Sequence, residues 1–215
     1  MTAAPPGPAG GLDAPAFHRN HGPIAGVLAR HLASATGDVV EIGSGTGQHV
    51  AAFAAAFPGL VWWPSDPNPA HRTSIEAWRR ASGATNIMPA VAIDAAADWR
   101  LGQPGMPPGR DLAAVLCVNV LHISPWTTAL GLMAGAGRHL GPGGLLFVYG
   151  PFTRDGAHTA ASNAAFDASL RATDPAWGVR DVGQVEAAAA EANLRLVEIE
   201  PMPANNLTLV FGRRT

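Results

Sequence analysis

The sequence predicts an α/β protein: a Rossmann-like, doubly wound parallel sheet of seven strands, the last one antiparallel. Three observations carry the prediction. Short β-branched or apolar runs alternate with helix-periodic segments along the chain. The run 112–120 is apolar almost throughout, as a central parallel strand buried on both faces must be. Near the end, two strand-like runs are joined only by Pro201-Met202-Pro203-Ala204-Asn205-Asn206, which reads as an antiparallel hairpin.

The elements follow in order. Phe17, Ile24, Val27, Leu28 and Leu32 fall at near-helical spacing, interrupted by Gly22-Pro23. The expectation is a short segment, then a helix from Pro23 to about Ala33 with the proline in its first turn. Strand one is 39–42. A helix over 47–57 stops at Pro58-Gly59. Strand two is 60–63. The helix 69–82 ends near Gly83. A short third strand is expected near 87–93, ending at Asp94. Strand four is 112–120. Ser124 is the expected N-cap of a helix reaching about Leu140. Gly141-Pro142-Gly143-Gly144 turns into strand five, 145–149. Residues 150–163 read as a polar loop, followed by helices over 163–172 and 181–192. Strands over 194–199 and 207–211 close the chain. Residues 1–13, rich in Ala, Pro and Gly, read as a disordered arm, and 14–215 as one domain.

Composition narrows the function classes. The 215 residues carry 14 basic and 16 acidic side chains, a net charge of −2, which gives no footprint for nucleic acid or an anionic membrane. Cys117 is the sole cysteine and lies in an apolar run, so it reads as a small buried hydrophobe. No apolar stretch is long enough to span a bilayer, and the N-terminus lacks a signal pattern, so a cytoplasmic protein is expected. The chain has no lysine. That excludes a Walker-type phosphate loop, Schiff-base chemistry and a lysine general base.

The most informative segment is Glu41-Ile42-Gly43-Ser44-Gly45-Thr46-Gly47-Gln48, where a strand ends on an acid and turns through alternating glycines into a helix. Glycines allow the sharp turn and leave no Cβ between backbone and ligand. A dinucleotide fingerprint would place its third small residue where Gln48 stands. This argues against NAD and for a cofactor without phosphate, and S-adenosylmethionine (SAM) fits. Asp66 ends strand two, where a carboxylate can take both ribose hydroxyls. Asp94 ends strand three, where it can accept from the adenine amine, and Asn119 ends strand four beside the expected sulfonium. Taken singly, Asp66 and Asp94 also read as loop-capping acids. The expected cofactor set is Asn20, Glu41, Gly43, Ser44, Gly45, Gly47, Gln48, Asp66, Pro67, Asp94, Ala95 and Asn119.

The chain resembles the class I SAM-dependent methyltransferases, and within them the methyltransferase-like 26 family, a domain-of-unknown-function family. The residues that carry the likeness are Arg19-Asn20, the segment 41–49, Pro64-Ser65-Asp66, Asn119 with His122-Ile123-Ser124-Pro125, Tyr149-Gly150-Pro151-Phe152, Ser162-Asn163, Trp177-Gly178 and the 202–206 turn. The resemblance implies the seven-strand sheet, SAM binding and release of S-adenosylhomocysteine. It supplies no acceptor.

Methyl transfer from a sulfonium is an in-line displacement, so alignment matters most, and a base is needed only if the acceptor must lose a proton. His122 and Tyr149 are the catalytic candidates. His122 lies on the loop after strand four, where it either orients the acceptor or shapes the loop. Tyr149 either lines the acceptor pocket or caps the sheet. Asp155 and His158 lack a second ligand pair at metal spacing, so no metal is expected. The partner expected is a small-molecule acceptor, with no nucleic acid and no membrane, in a monomer or homodimer. The alternative is a non-catalytic SAM-binding module of the same fold.

Overall fold

The computed structural model describes residues 7–214. Its sheet runs in the order β2 (Leu60–Ser65), β1 (Gly37–Ile42), β3 (Leu112–Val118), β4 (Leu140–Arg154), β8 (Asn206–Arg213), β7 (Leu194–Met202). The first four are mutually parallel, and β8 lies antiparallel to both β4 and β7. The reversed strand is thus the last in the chain, as the 201–206 connection predicts. Two further two-residue strands, β5 (Ala157–His158) and β6 (Arg180–Asp181), pair with the far end of β4. That makes eight strands rather than seven.

The strand expected over 87–93 is reduced to isolated bridges, Trp62 to Ile87 and Ser65 to Val91. Proline explains this. Pro89 has no N–H to give, and opposite it Pro64 of β2 offers only a carbonyl, to Val91. The loop expected over 150–163 is mostly regular structure. β4 continues to Arg154 because Phe152 is buried, and Phe152 and Thr153 pair with Arg180 and Asp181 of β6.

Helices cover both faces. α1 (Phe17–Leu32), α2 (Gln48–Ala56) and α3 (Pro69–Ser82) lie over a core that includes Phe53, Trp62 and Phe147. α4 (Trp126–His139) and α6 (Val182–Glu191) lie over the other, with Leu132, Met133 and Val185. α5 (Ala161–Thr173) sits beside β5.

α1 begins six residues before Pro23 rather than at it. The missing proline N–H removes one rung, yet side chains hold the first turns together. His21 Nδ1 bonds the Phe17 carbonyl at 2.8 Å and its ring stacks on Phe17 at 4.5 Å. Buried Asn20 anchors the same stretch to α2 through His49. Ser124 does not cap α4. Pro125 occupies the N-cap, and the Ser124 hydroxyl donates to the Val120 carbonyl at 2.9 Å.

Part of the arm expected over 1–13 lies outside the described residues. Residues 7–13 run along α3: the Leu12 amide donates to Ser74 Oγ at 2.8 Å, and the Trp78 indole donates to the Leu12 carbonyl at 2.9 Å.

Candidate functional site

The parallel strands all end on one side of the sheet, where Glu41, the glycine loop, Asp66 and Asn119 stand. β1 delivers Glu41, 1% exposed. Three residues of the following loop take positive φ: Gly43 at 69°, Gly45 at 55° and Gly47 at 87°. Two of these are packing requirements. A Cβ on Gly43 would come within 2.6 Å of Val120, and one on Gly47 within 2.7 Å of the Ile75 backbone. Gly45 is different, because a Cβ there would point into open space. Its glycine answers to backbone conformation and to clearance on the solvent side.

The loop is tied to the end of β2. The Ser44 amide donates to the Ser65 carbonyl at 2.8 Å, and the Ser65 amide donates to Ser44 Oγ at 3.1 Å. Asp66 is 5% exposed and accepts from the Gly45 amide on Oδ2 at 3.0 Å and from the Asn68 amide on Oδ1 at 2.9 Å. His71 Nδ1 lies 3.1 Å from the same Oδ2. Asp66 therefore caps a turn and clamps the glycine loop in one stroke. Pro67 beside it is exposed, and its carbonyl accepts from Arg72.

Glu41 is the electrostatic anomaly of this corner. Its Oε2 is buried with no hydrogen-bond partner among the described residues. Burial raises its pKa to about 7, the nearby Asp66 carboxylate adds to the rise, and Ser44 opposes it. A buried acceptor without a donor is costly, and such an atom at a strand end points to a cationic or N–H-bearing guest.

A second group forms around Tyr149. Asn20 accepts from His49 on Oδ1 at 2.8 Å. The Tyr149 hydroxyl has Asn20 and Asn206 for neighbours, and burial raises its pKa against their influence and that of Arg19. Tyr149 thus keeps its proton at physiological pH.

The third group is the loop after β3. Asn119 takes φ of 59° and its amide donates to the Tyr149 carbonyl at 2.9 Å. His122 stands on a 3-10 turn, Leu121–Ile123, and is 6% exposed. Its ring meets Phe166 edge-on at 5.5 Å, and a Cβ at Gly150 would lie 3.2 Å from its Nδ1 and 3.8 Å from Asn119 Oδ1. Burial, aided by the charge of Arg180, lowers the His122 pKa to about 4, so the ring is neutral at physiological pH.

Two expected cofactor residues are engaged in contacts within the protein. Gln48 turns to the N-terminal arm: its Nε2 donates to Asp13 and its Oε1 accepts from the Ala14 amide, both at 2.7 Å. Asp94 is exposed and its Oδ1 caps a turn by accepting from the Ala96 amide at 2.9 Å, with Ala95 buried beside it. Two surface clefts flank α4, one lined by Trp99, Thr127, Leu130 and Arg138, the other by Trp126, Leu130, Arg180 and Gln184. Neither is lined by the glycine loop, His122 or Tyr149. No helix among the described residues is long and apolar enough to cross a membrane.

Residues 12–213 match the profile of a family described as protein of unknown function, DUF938. The chain belongs to that family. Solved structures show the same fold at low identity. The chain is 21% identical to the mitomycin 7-O-methyltransferase, with a TM-score of 0.71 over 88% of this chain and 53% of that one. An O-methyltransferase family protein from Burkholderia thailandensis is 17% identical, with a TM-score of 0.76 over 93% and 58%. A methyltransferase of calicheamicin biosynthesis, in its SAH-bound form, is also 17% identical, with a TM-score of 0.65 over 87% and 52%. The chain therefore spans little more than half the length of these relatives. The fold is the Rossmann-like one of class I methyltransferases.

Proposed function

We propose that this member of the DUF938 family is a SAM-dependent methyltransferase acting on a small-molecule acceptor. The observation that carries the reading is Glu41: a fully buried carboxylate, one oxygen without a partner, beneath a glycine loop whose middle glycine faces open space. A phosphate-bearing cofactor would be repelled by such a group. The ammonium of a methionine moiety would satisfy it. Asp66 and Asn119 flank the same corner, and solved structures of this fold include methyltransferases, one of them SAH-bound. The finer likeness to the methyltransferase-like 26 family rests on the sequence motifs alone.

When bound, SAM supplies an electrophilic methyl on a sulfonium. This chain's own residues do the rest. Glu41 would hold the ammonium of the amino-acid end, with Asn20 beside it. Asp66 would hold the ribose with the lone pair that Oδ1 keeps beyond its bond from the Asn68 amide. Tyr149, still protonated, donates a hydrogen bond and orients the acceptor. His122 is neutral, so a ring nitrogen can accept a hydrogen bond from an acceptor hydroxyl or amine and orient that group for in-line attack.

A specific observation favours the alternative, a non-catalytic SAM-binding module: the two clefts flanking α4 lie away from the acceptor side, and His122 and Tyr149 are both buried. Incubation with methyl-labelled SAM and a small-molecule extract separates the two. An enzyme transfers label to an extract compound, and His122→Gln stops it. Tight SAM binding without any transfer is the signature of the module.

A further inference from the structure

The turn that carries His122 is three residues long and has little to hold it from within: the Ile123 amide donates to the Val120 carbonyl at 3.0 Å, and Ser124 Oγ shares that acceptor. The rest of its support comes from the segment that leads into β6. Arg180 Nε donates to the Leu121 carbonyl at 3.0 Å, and its Nη2 donates to the Ser124 carbonyl at 2.6 Å and the Ala176 carbonyl at 2.8 Å. The Gly178 amide donates to the carbonyl of His122 itself at 3.0 Å. The carbonyls of residues 121, 122 and 124 are thus all bound by residues 178 and 180. The guanidinium also lies 5.8 Å from the ring centre of Trp126, the first residue of α4. No carboxylate comes within salt-bridge distance of Arg180 among the described residues.

We propose that Arg180 is the positioning residue for His122: it fixes the 3-10 turn that holds the ring against Gly150 and sets the ring's electrostatic surroundings. The proposal rests on the reading of His122 as the residue that orients the acceptor. The planar fork presents five N–H donors in fixed directions from three nitrogens, whereas an ammonium offers three from a single point. The cation beside the ring disfavours a second positive charge on it. The groups facing His122 bear this out element by element. α5 presents Phe166, β4 presents Gly150, and β6 presents Arg180. The nearby charges of α5, Asp167 and Arg171, pair with each other at 3.0 Å and act on Arg180.

The test uses histidine-labelled full-length protein, with the His122 resonance assigned by its loss in His122→Gln. In the wild type the ring should not titrate until about pH 4. Arg180→Gln should raise that midpoint, while leaving it below 6.5 because burial, the larger cause, is untouched. It should also speed amide exchange at Ile123 and Gly178 at least tenfold, with Val39 and Val40 of β1 unaffected as a control for folding. Arg180→Lys keeps the charge and loses the fork, so it should hold the low midpoint yet show the faster exchange. An unchanged His122 midpoint in Arg180→Gln overturns the electrostatic half, and wild-type exchange in Arg180→Lys overturns the geometric half. Neither readout needs cofactor or turnover, so this result stands or falls apart from the methyltransferase reading.

Discussion

Replacing Glu41 with Gln removes a charge whose effect on both folding and binding can be worked out. In the unfolded chain the carboxyl titrates near 4.5, and in the fold near 7. A carboxyl with the higher pKa in the fold favours folding while it stays protonated. That contribution is present in full below pH 4.5 and is lost as pH rises through about 7. At about 1.4 kcal/mol per pH unit, the ligand-free wild type should lose roughly 3 kcal/mol relative to Glu41→Gln across that range. The difference between the two proteins cancels His49 and His122. Their lowered pKa values, both about 4, act with the opposite sign and cost stability as pH falls below 6.5. Binding should respond inversely. A cationic amine needs the ionised form, so SAM affinity should rise about tenfold per pH unit between 5.5 and 7 and then level off, with close to one proton released per SAM at pH 6. Urea denaturation across pH and calorimetry in buffers of different ionisation enthalpy read both effects. A wild-type affinity that is flat over this range, or equal in Glu41→Gln, would refute the reasoning.

Other expectations follow from the same geometry. Gly47→Ala should cost about 1–3 kcal/mol in chemical denaturation, because its φ of 87° is unfavourable for alanine and the new Cβ would press on the Ile75 backbone. Asp66→Ala frees the Gly45 and Asn68 amides and should weaken SAM binding by roughly tenfold or more, read by calorimetry. For His122→Gln, turnover should fall about 100-fold while SAM affinity stays within about twofold. An equal loss of both would assign the histidine to loop structure alone.

Local chemistry made the glycine loop legible. Positive φ at alternate positions admits little but glycine, so Gly43, Gly45 and Gly47 announce themselves, and an acid directly before them is hard to mistake. The reversed last strand was equally plain, because a short turn cannot make a crossover. The rest depended on partners distant in sequence. Arg180 lies far along the chain from His122, and nothing in its neighbourhood of residues marks it as the support of that turn. Gln48 has the right position for a ligand, yet its amide is taken by Asp13 and Ala14. Pro23 reads as a helix start, and only the hold of Asn20, His21 and His49 on the first turns carries the helix through it. Asp94 looks like a strand end until Pro89 and Pro64 are seen to thin the ladder to two bridges.

The decisive titration is of purified protein with SAM in one cell and NAD in another. Saturable heat from SAM, lost in Glu41→Gln, with none from NAD, is what a buried carboxylate with one oxygen unpartnered among the described residues requires. Heat from NAD with silence from SAM would contradict it.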